Sequence, residues 1–124
     1  MSGMPRRLAI IFSAADHARL HAGLTLACSV AALDGAVALF FHGESVAALA
    51  PGRHWQGDVP LVAAGIPPIV TLLASANDLG VAVMACQSGL HLCGLSAAAL
   101  ADGVETGGMI AFLAGAQNAE IVLA

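Results

Sequence analysis

The stretch "VAVMACQSGLHLCGL", Val81 to Leu95, reads as a strand, a turn and a helix in succession. Val81 to Ala85 is an apolar run of strand length that ends at Cys86. Gln87-Ser88-Gly89 then turns the chain into a helix expected from about Leu90 to about Ala101. A thiol between the carboxyl end of a buried strand and the amino end of a helix lies where backbone N–H groups and the helix dipole favour anions. Such surroundings lower a cysteine pKa and supply thiolate near neutral pH. Cys93 follows in the same stretch, and seven residues of helix rise ~10 Å, beyond the ~7 Å Cα separation a disulfide tolerates. No Cys86–Cys93 bridge is expected, and Cys93 and Cys28 read as packed small hydrophobes.

Outward from this unit, the same alternation recurs. Leu8 to Phe12 is a β-branched run, Ser13-Ala14-Ala15 a turn, and Asp16 an N-cap for a helix stopped at Asp34-Gly35. Leu20, Leu24, Cys28 and Ala31 share one face of that helix, and Leu26, Val30 and Leu33 lie on another. A second strand, Ala36 to Phe41, is apolar on both faces, as in a buried parallel sheet. Glu44 to Ala50 reads as a short helix, and "APGRHWQGD" as a surface loop with Trp55 as its anchor. A proline pair opens the next helix and Gly80 closes it, with Ile69, Leu72, Leu73, Ala76 and Leu79 as its buried stripe. "VETGG" reads as a short fourth strand, Met109 to Ala116 as a last helix and "AEIVLA" as a terminal strand. This pattern predicts an α/β fold, a three-layer sandwich around a mainly parallel five-stranded sheet, with residues 1–124 as one domain.

Composition narrows the function. Only 10% of the residues are charged and 59% are hydrophobic, against roughly 25% charged in an ordinary soluble domain. The apolar runs are broken by Asp34, Asp58, Pro67-Pro68, Asn77-Asp78 and Gly80, short of the ~20 residues that a membrane-spanning helix needs. The apolar run after Met1–Arg7 is short for a signal peptide. The expectation is a cytoplasmic protein whose surface is covered by further copies of itself. A net charge of −4, with four arginines and no lysine, speaks against nucleic acid and excludes Schiff-base chemistry. Three cysteines, an odd number, read as thiols. His17 and His21 are spaced i, i+4 but lack the carboxylate or HExxH context of a metal site, so no metal is expected. No cofactor motif is present, and Asp34, Asp78 and Asp102 read as turn formers.

"RLAIIFSAADHARLHAGLTLACSVAALDGAVALFFHGESV" and "NDLGVAVMACQSGLHLCGLSAAALADGVETGG" together resemble the DsrE/DsrF-like family of sulfur-trafficking proteins. The likeness rests on the opening strand–turn–helix, the second strand ending at Gly43, Ala85-Cys86, Gly94-Leu95, Leu100, Asp102-Gly103-Val104 and Gly107-Gly108. It implies an α/β/α sandwich in homotrimers or hexamers, and a strand-end cysteine, here Cys86, that carries a persulfide between a donor and an acceptor protein. Gln87, Ser88 and Gly89 are the expected binding groups for the sulfur anion. In a flavodoxin-like strand order the first and third strands are neighbours. That order would set Ser13 and His17 beside Cys86, and His42 one strand further away. Two other functions stay open: a non-catalytic oligomeric binding module at the same crevice, and a thiol-dependent peroxide reductase using a cysteine of another subunit.

Overall fold

In the computed structural model, residues 5–124 are described, and Met1–Met4, the start of the Met1–Arg7 stretch read above, lie outside them. The apolar runs become strands β1 (Arg7–Phe12), β2 (Ala36–Phe41), β3 (Ala82–Cys86), β4 (Val104–Gly107) and β5 (Glu120–Leu123). Between them lie helices α1 (His17–Ala32), α2 (Asp58–Ala63), α3 (Ile69–Asp78), α4 (Gln87–Leu92) and α5 (Met109–Gly115). The sheet has five strands in the order β4-β3-β2-β1-β5, and every pair is parallel.

From β1 to β4 the chain steps across the sheet in one direction, then crosses back to lay β5 on the far side of β1. Right-handed crossovers therefore place successive helices on one face and the last one on the other. The packing agrees. α1 and α3 lie side by side over the sheet, and α5 sits on the opposite face, where Phe112 meets Phe40 at a ring separation of 5.1 Å. These are the three layers of a flavodoxin-like α/β fold.

The strand order corrects the expected neighbourhood: β2 stands between β1 and β3. The cause is local. Asp34-Gly35 returns the chain tightly after α1, and the Ala36 N–H bonds the Arg6 carbonyl at 2.8 Å, which seats β2 directly against β1.

The sequence predicts the Asp16 cap correctly. Its carboxylate accepts from the Arg19 N–H at 2.9 Å. On α1, Leu20, Leu24, Ala27 and Val30 are buried, whereas Leu26 and Leu33 of the second apolar face are exposed. The α3 stripe is buried at Ile69, Leu72 and Ala76, and Leu79 is exposed. The short helix expected from Glu44 to Ala50 is present as a 3-10 segment, Gly43–Leu49, and α2, which sequence periodicity did not reveal, follows the Trp55 loop.

The helix after Cys86 is far shorter than expected. Leu95 N–H bonds the Leu90 carbonyl and Gly94 N–H the His91 carbonyl, with Gly94 at φ +66°. These two bonds with a left-handed residue form the Schellman stop that glycine supplies without a Cβ penalty. Leu92 is thus the last residue of α4, and a separate short 3-10 turn, Ala97–Ala99, follows.

Candidate functional site

Cys86 closes β3 and serves as the N-cap residue of α4, with 5% of its surface exposed. Strand pairing explains its neighbours. Phe41 opposes Ala85, so the next residues along, His42 and Cys86, stand side by side at the carboxyl edge of the sheet. His42 is held from below, its ring stacked on Phe40 at 6.1 Å, and Phe40 in turn rests on Phe112 of α5. The following 3-10 segment is tied to both strands by Ser45, fully buried, whose hydroxyl lies 3.1 Å from the Phe12 carbonyl and 2.8 Å from that of His42.

Four groups converge on the sulfur. Burial alone would push the Cys86 thiol upward, but hydrogen bonds from the Ser88 hydroxyl, Gly89 N–H, the His42 side chain and Gly43 N–H outweigh it and lower the pKa to about 7. The Ser88 Oγ is 3.1 Å from Cys86 Sγ. Thiolate is therefore available near neutral pH. Because α4 has only six residues, the donors and not an extended helix dipole do this. Sulfur that is both anionic and at the rim is a nucleophile.

Close approach of α4 to the 3-10 segment assembles these donors, and Gly89 permits it. A Cβ at Gly89 would lie 2.7 Å from the Gly43 carbonyl oxygen and 2.9 Å from Val46 Cγ1. Any side chain there would push the two segments apart.

Of the residues expected at the site, Ser88 and Gly89 bond the thiol, whereas Gln87 is exposed. Ser13 reaches the edge of the site through its backbone, its carbonyl lying beside Gly43. His17 does not join it, since β2 separates β1 from β3. Its Nε2 bonds Asp58 Oδ1 at 2.8 Å, and its ring lies 5.9 Å from that of His21. Among the described residues no group of three or more His, Cys, Asp or Glu side chains converges on a metal position. Cys28, Cys86 and Cys93 are all free thiols. Cys93 caps the other end of α4, its Sγ 3.9 Å from the Glu44 carbonyl.

His42 is the neighbour of Cys86 that sequence reasoning placed too far away. Its signal was its position directly after an apolar strand, one residue beyond the last β2 pair, but only strand order could make it count. The Arg53-His54-Trp55 loop also lies elsewhere, folded over α3, with the Arg53 guanidinium 4.3 Å above the Trp55 ring.

An all-parallel α/β sandwich that presents an activated thiol at a strand end defines a class of small thiol-bearing α/β proteins. Within it, the DsrE/DsrF-like family model matches residues 6–124, and the chain belongs to that family. Among solved structures it is similar to the YchN protein of E. coli, with 21% identity, a TM-score of 0.72, and 94% of this chain and 97% of that one covered. It is also similar to MTH1491 of Methanobacterium thermoautotrophicum, a protein of unknown function, with 15% identity, a TM-score of 0.67, and coverage of 96% and 99%. At these identities the likeness is one of fold. No functionally curated protein matches the sequence.

Proposed function

We propose that this protein is a cytoplasmic sulfur-relay carrier that holds sulfane sulfur on Cys86. The observation that carries this reading is the set of four donors around one thiol, which keeps it ionised near pH 7. Family membership adds the substrate class, since DsrE/DsrF-like proteins are associated with sulfur relay.

The chemistry balances without a further oxidant. The Cys86 thiolate attacks the outer sulfur of a donor persulfide, R–S–SH. The S–S bond of the donor breaks, the Cys86–S–SH bond forms, and R–S⁻ leaves with the electron pair. An acceptor thiolate then attacks the outer sulfur of Cys86 in the same way and regenerates the thiolate. The Ser88 hydroxyl, the Gly43 and Gly89 N–H groups and His42 stabilise the anion at both ends of the cycle.

Incubating the protein with a sulfane-sulfur donor and measuring intact mass tests this. A gain of one sulfur on the wild type and none on Cys86→Ser is expected. Equal gain on both, or none on either, would sink the carrier reading.

The sheet face carrying α5 supports an oligomer. Ile110 is 87% exposed, Leu123 78% and Ile121 55%, a concentration of large apolar side chains that a lone chain would leave in water. A homotrimer or hexamer would cover them, and light scattering should read at least three chain masses. A stable monomer at micromolar concentration contradicts this part of the proposal.

A further inference from the structure

On the sheet face that α1 and α3 cover, the helices stop short of the β3–β4 edge. An apolar cavity of about 250 Å³ opens there between α3, the end of the 3-10 segment and the approach to β4. Leu49, Leu73, Val83 and Val104 line its floor. Cys86, Ser88 and Gly43 are not part of it, so it is separate from the thiol site.

Its mouth carries a cation. Arg53 lines the cavity and stacks over the Trp55 ring at 4.3 Å. Among the described residues the ion pairs are Arg6–Glu120 and His17–Asp58, so Arg53 has no carboxylate of its own. Trp55 is held in turn, its ring 6.2 Å from that of His17, whose partner Asp58 also accepts the Ile69 N–H at 3.2 Å. That latch ties the loop to both α1 and α3.

We propose that this cavity binds a small organic carboxylate with a compact apolar body. The body would fill the Leu49–Leu73–Val104 floor, and its carboxylate would take the two parallel donors of Arg53. The volume equals that of about eight liquid waters at ~30 Å³ each, room for a phenyl ring or a branched chain. Asp102 and Asn77 line the wall toward β4. The Asp102 carboxylate there repels an acid head, leaving Arg53 as its seat and disfavouring a doubly charged phosphate.

The chain has one tryptophan and no tyrosine, so its intrinsic fluorescence reports this mouth. Titration of the whole protein with phenylacetate should give a saturable change in Trp55 emission, and ligand-observed NMR should give the same affinity. The neutral isostere phenylacetamide should bind about tenfold more weakly, and phenethylamine more weakly still. Arg53→Gln should erase the preference for the acid over the amide. Ala74→Leu, at an exposed helical position lining the cavity, should abolish binding of both, whereas Cys86→Ser should bind like the wild type. The proposal is overturned by absence of saturable binding in both measurements, by equal affinity for acid and amide, or by a preference for the amine. It is equally overturned if selectivity survives in Arg53→Gln or binding survives in Ala74→Leu.

Discussion

Cys28 and Cys86 are both free thiols packed against the core, and their surroundings drive them in opposite directions. Burial raises the Cys28 pKa above 9.0. The Sγ lies 3.4 Å from the Leu72 carbonyl, and that contact is a hydrogen bond only while the thiol keeps its proton. Cys86 is also desolvated, but four donors face its sulfur and bring it down to about 7. Burial does not decide whether a cysteine is reactive. What decides it is whether the groups that replace water are donors or acceptors, because an anion needs donors and a carbonyl offers none.

The largest effect that this contrast predicts is in alkylation. At pH 7 about half of Cys86 is thiolate and at most about one part in a hundred of Cys28 is, a ratio of at least ~50 in reactive form. A thiolate of lower pKa is intrinsically less nucleophilic, by about tenfold over two pKa units. Iodoacetamide labelling read by peptide mass should therefore favour Cys86 over Cys28 by at least ~5-fold. Equal labelling at pH 7 would break the comparison.

A smaller effect follows from Gly89→Ala. The new Cβ meets backbone and Val46 at under 3.0 Å, and overpacking of this kind costs about 1–3 kcal/mol. A lowered thermal midpoint is expected, together with a Cys86 pKa moved back toward 9, since two of its four donors are backbone groups on the segments being separated. A destabilised variant whose thiol still titrates near 7 would show that the close approach matters for packing alone.

The smallest effect is on the pH dependence of stability. The folded pKa of Cys86 lies below its unfolded value, so the unfolded chain binds more protons between about pH 7 and 9 and stability rises with pH across that window. It is fully present above 9 and lost as pH falls through about 7. Cys28 has the reverse sign, its contribution constant below 9.0 and lost as pH rises through its elevated folded pKa. Urea midpoints at pH 6.5, 8 and 9 should rise for the wild type, rise less for Ser88→Ala, and lose the Cys86 share of the slope in Cys86→Ser. An unchanged slope in Cys86→Ser would mean that another group carries it.

Much of this architecture can be read locally. The β2 run from Ala36 to Phe41 and the α3 boundaries at Pro68 and Gly80 follow from apolar period and from the special geometry of proline and glycine. Cys86 could be placed at a strand end next to donors for the same reason. The length of α4 is not legible because the alanine-rich composition of residues 97–101 looks helical, while the Gly94 stop falls before it, inside the span expected from Leu90 to Ala101. α2 is not legible because it has only six residues, carries Pro60 in its first turn and buries none of its side chains, leaving no periodic signal.

The sequence by itself determined the alternation of strands and helices and the thiol at the β3–α4 junction. These depend on residues within a few positions of one another. Tertiary structure alone decided that His42 and not His17 faces Cys86, that His17 latches to Asp58, and that the Arg53–Trp55 loop closes over α3. Any two parallel strands can make the same backbone ladder, so the hydrophobic pattern of a strand marks it as buried without naming its neighbour. That choice follows from how tightly each connection returns and how the helices pack, and it brings residues distant in the chain to one sulfur atom.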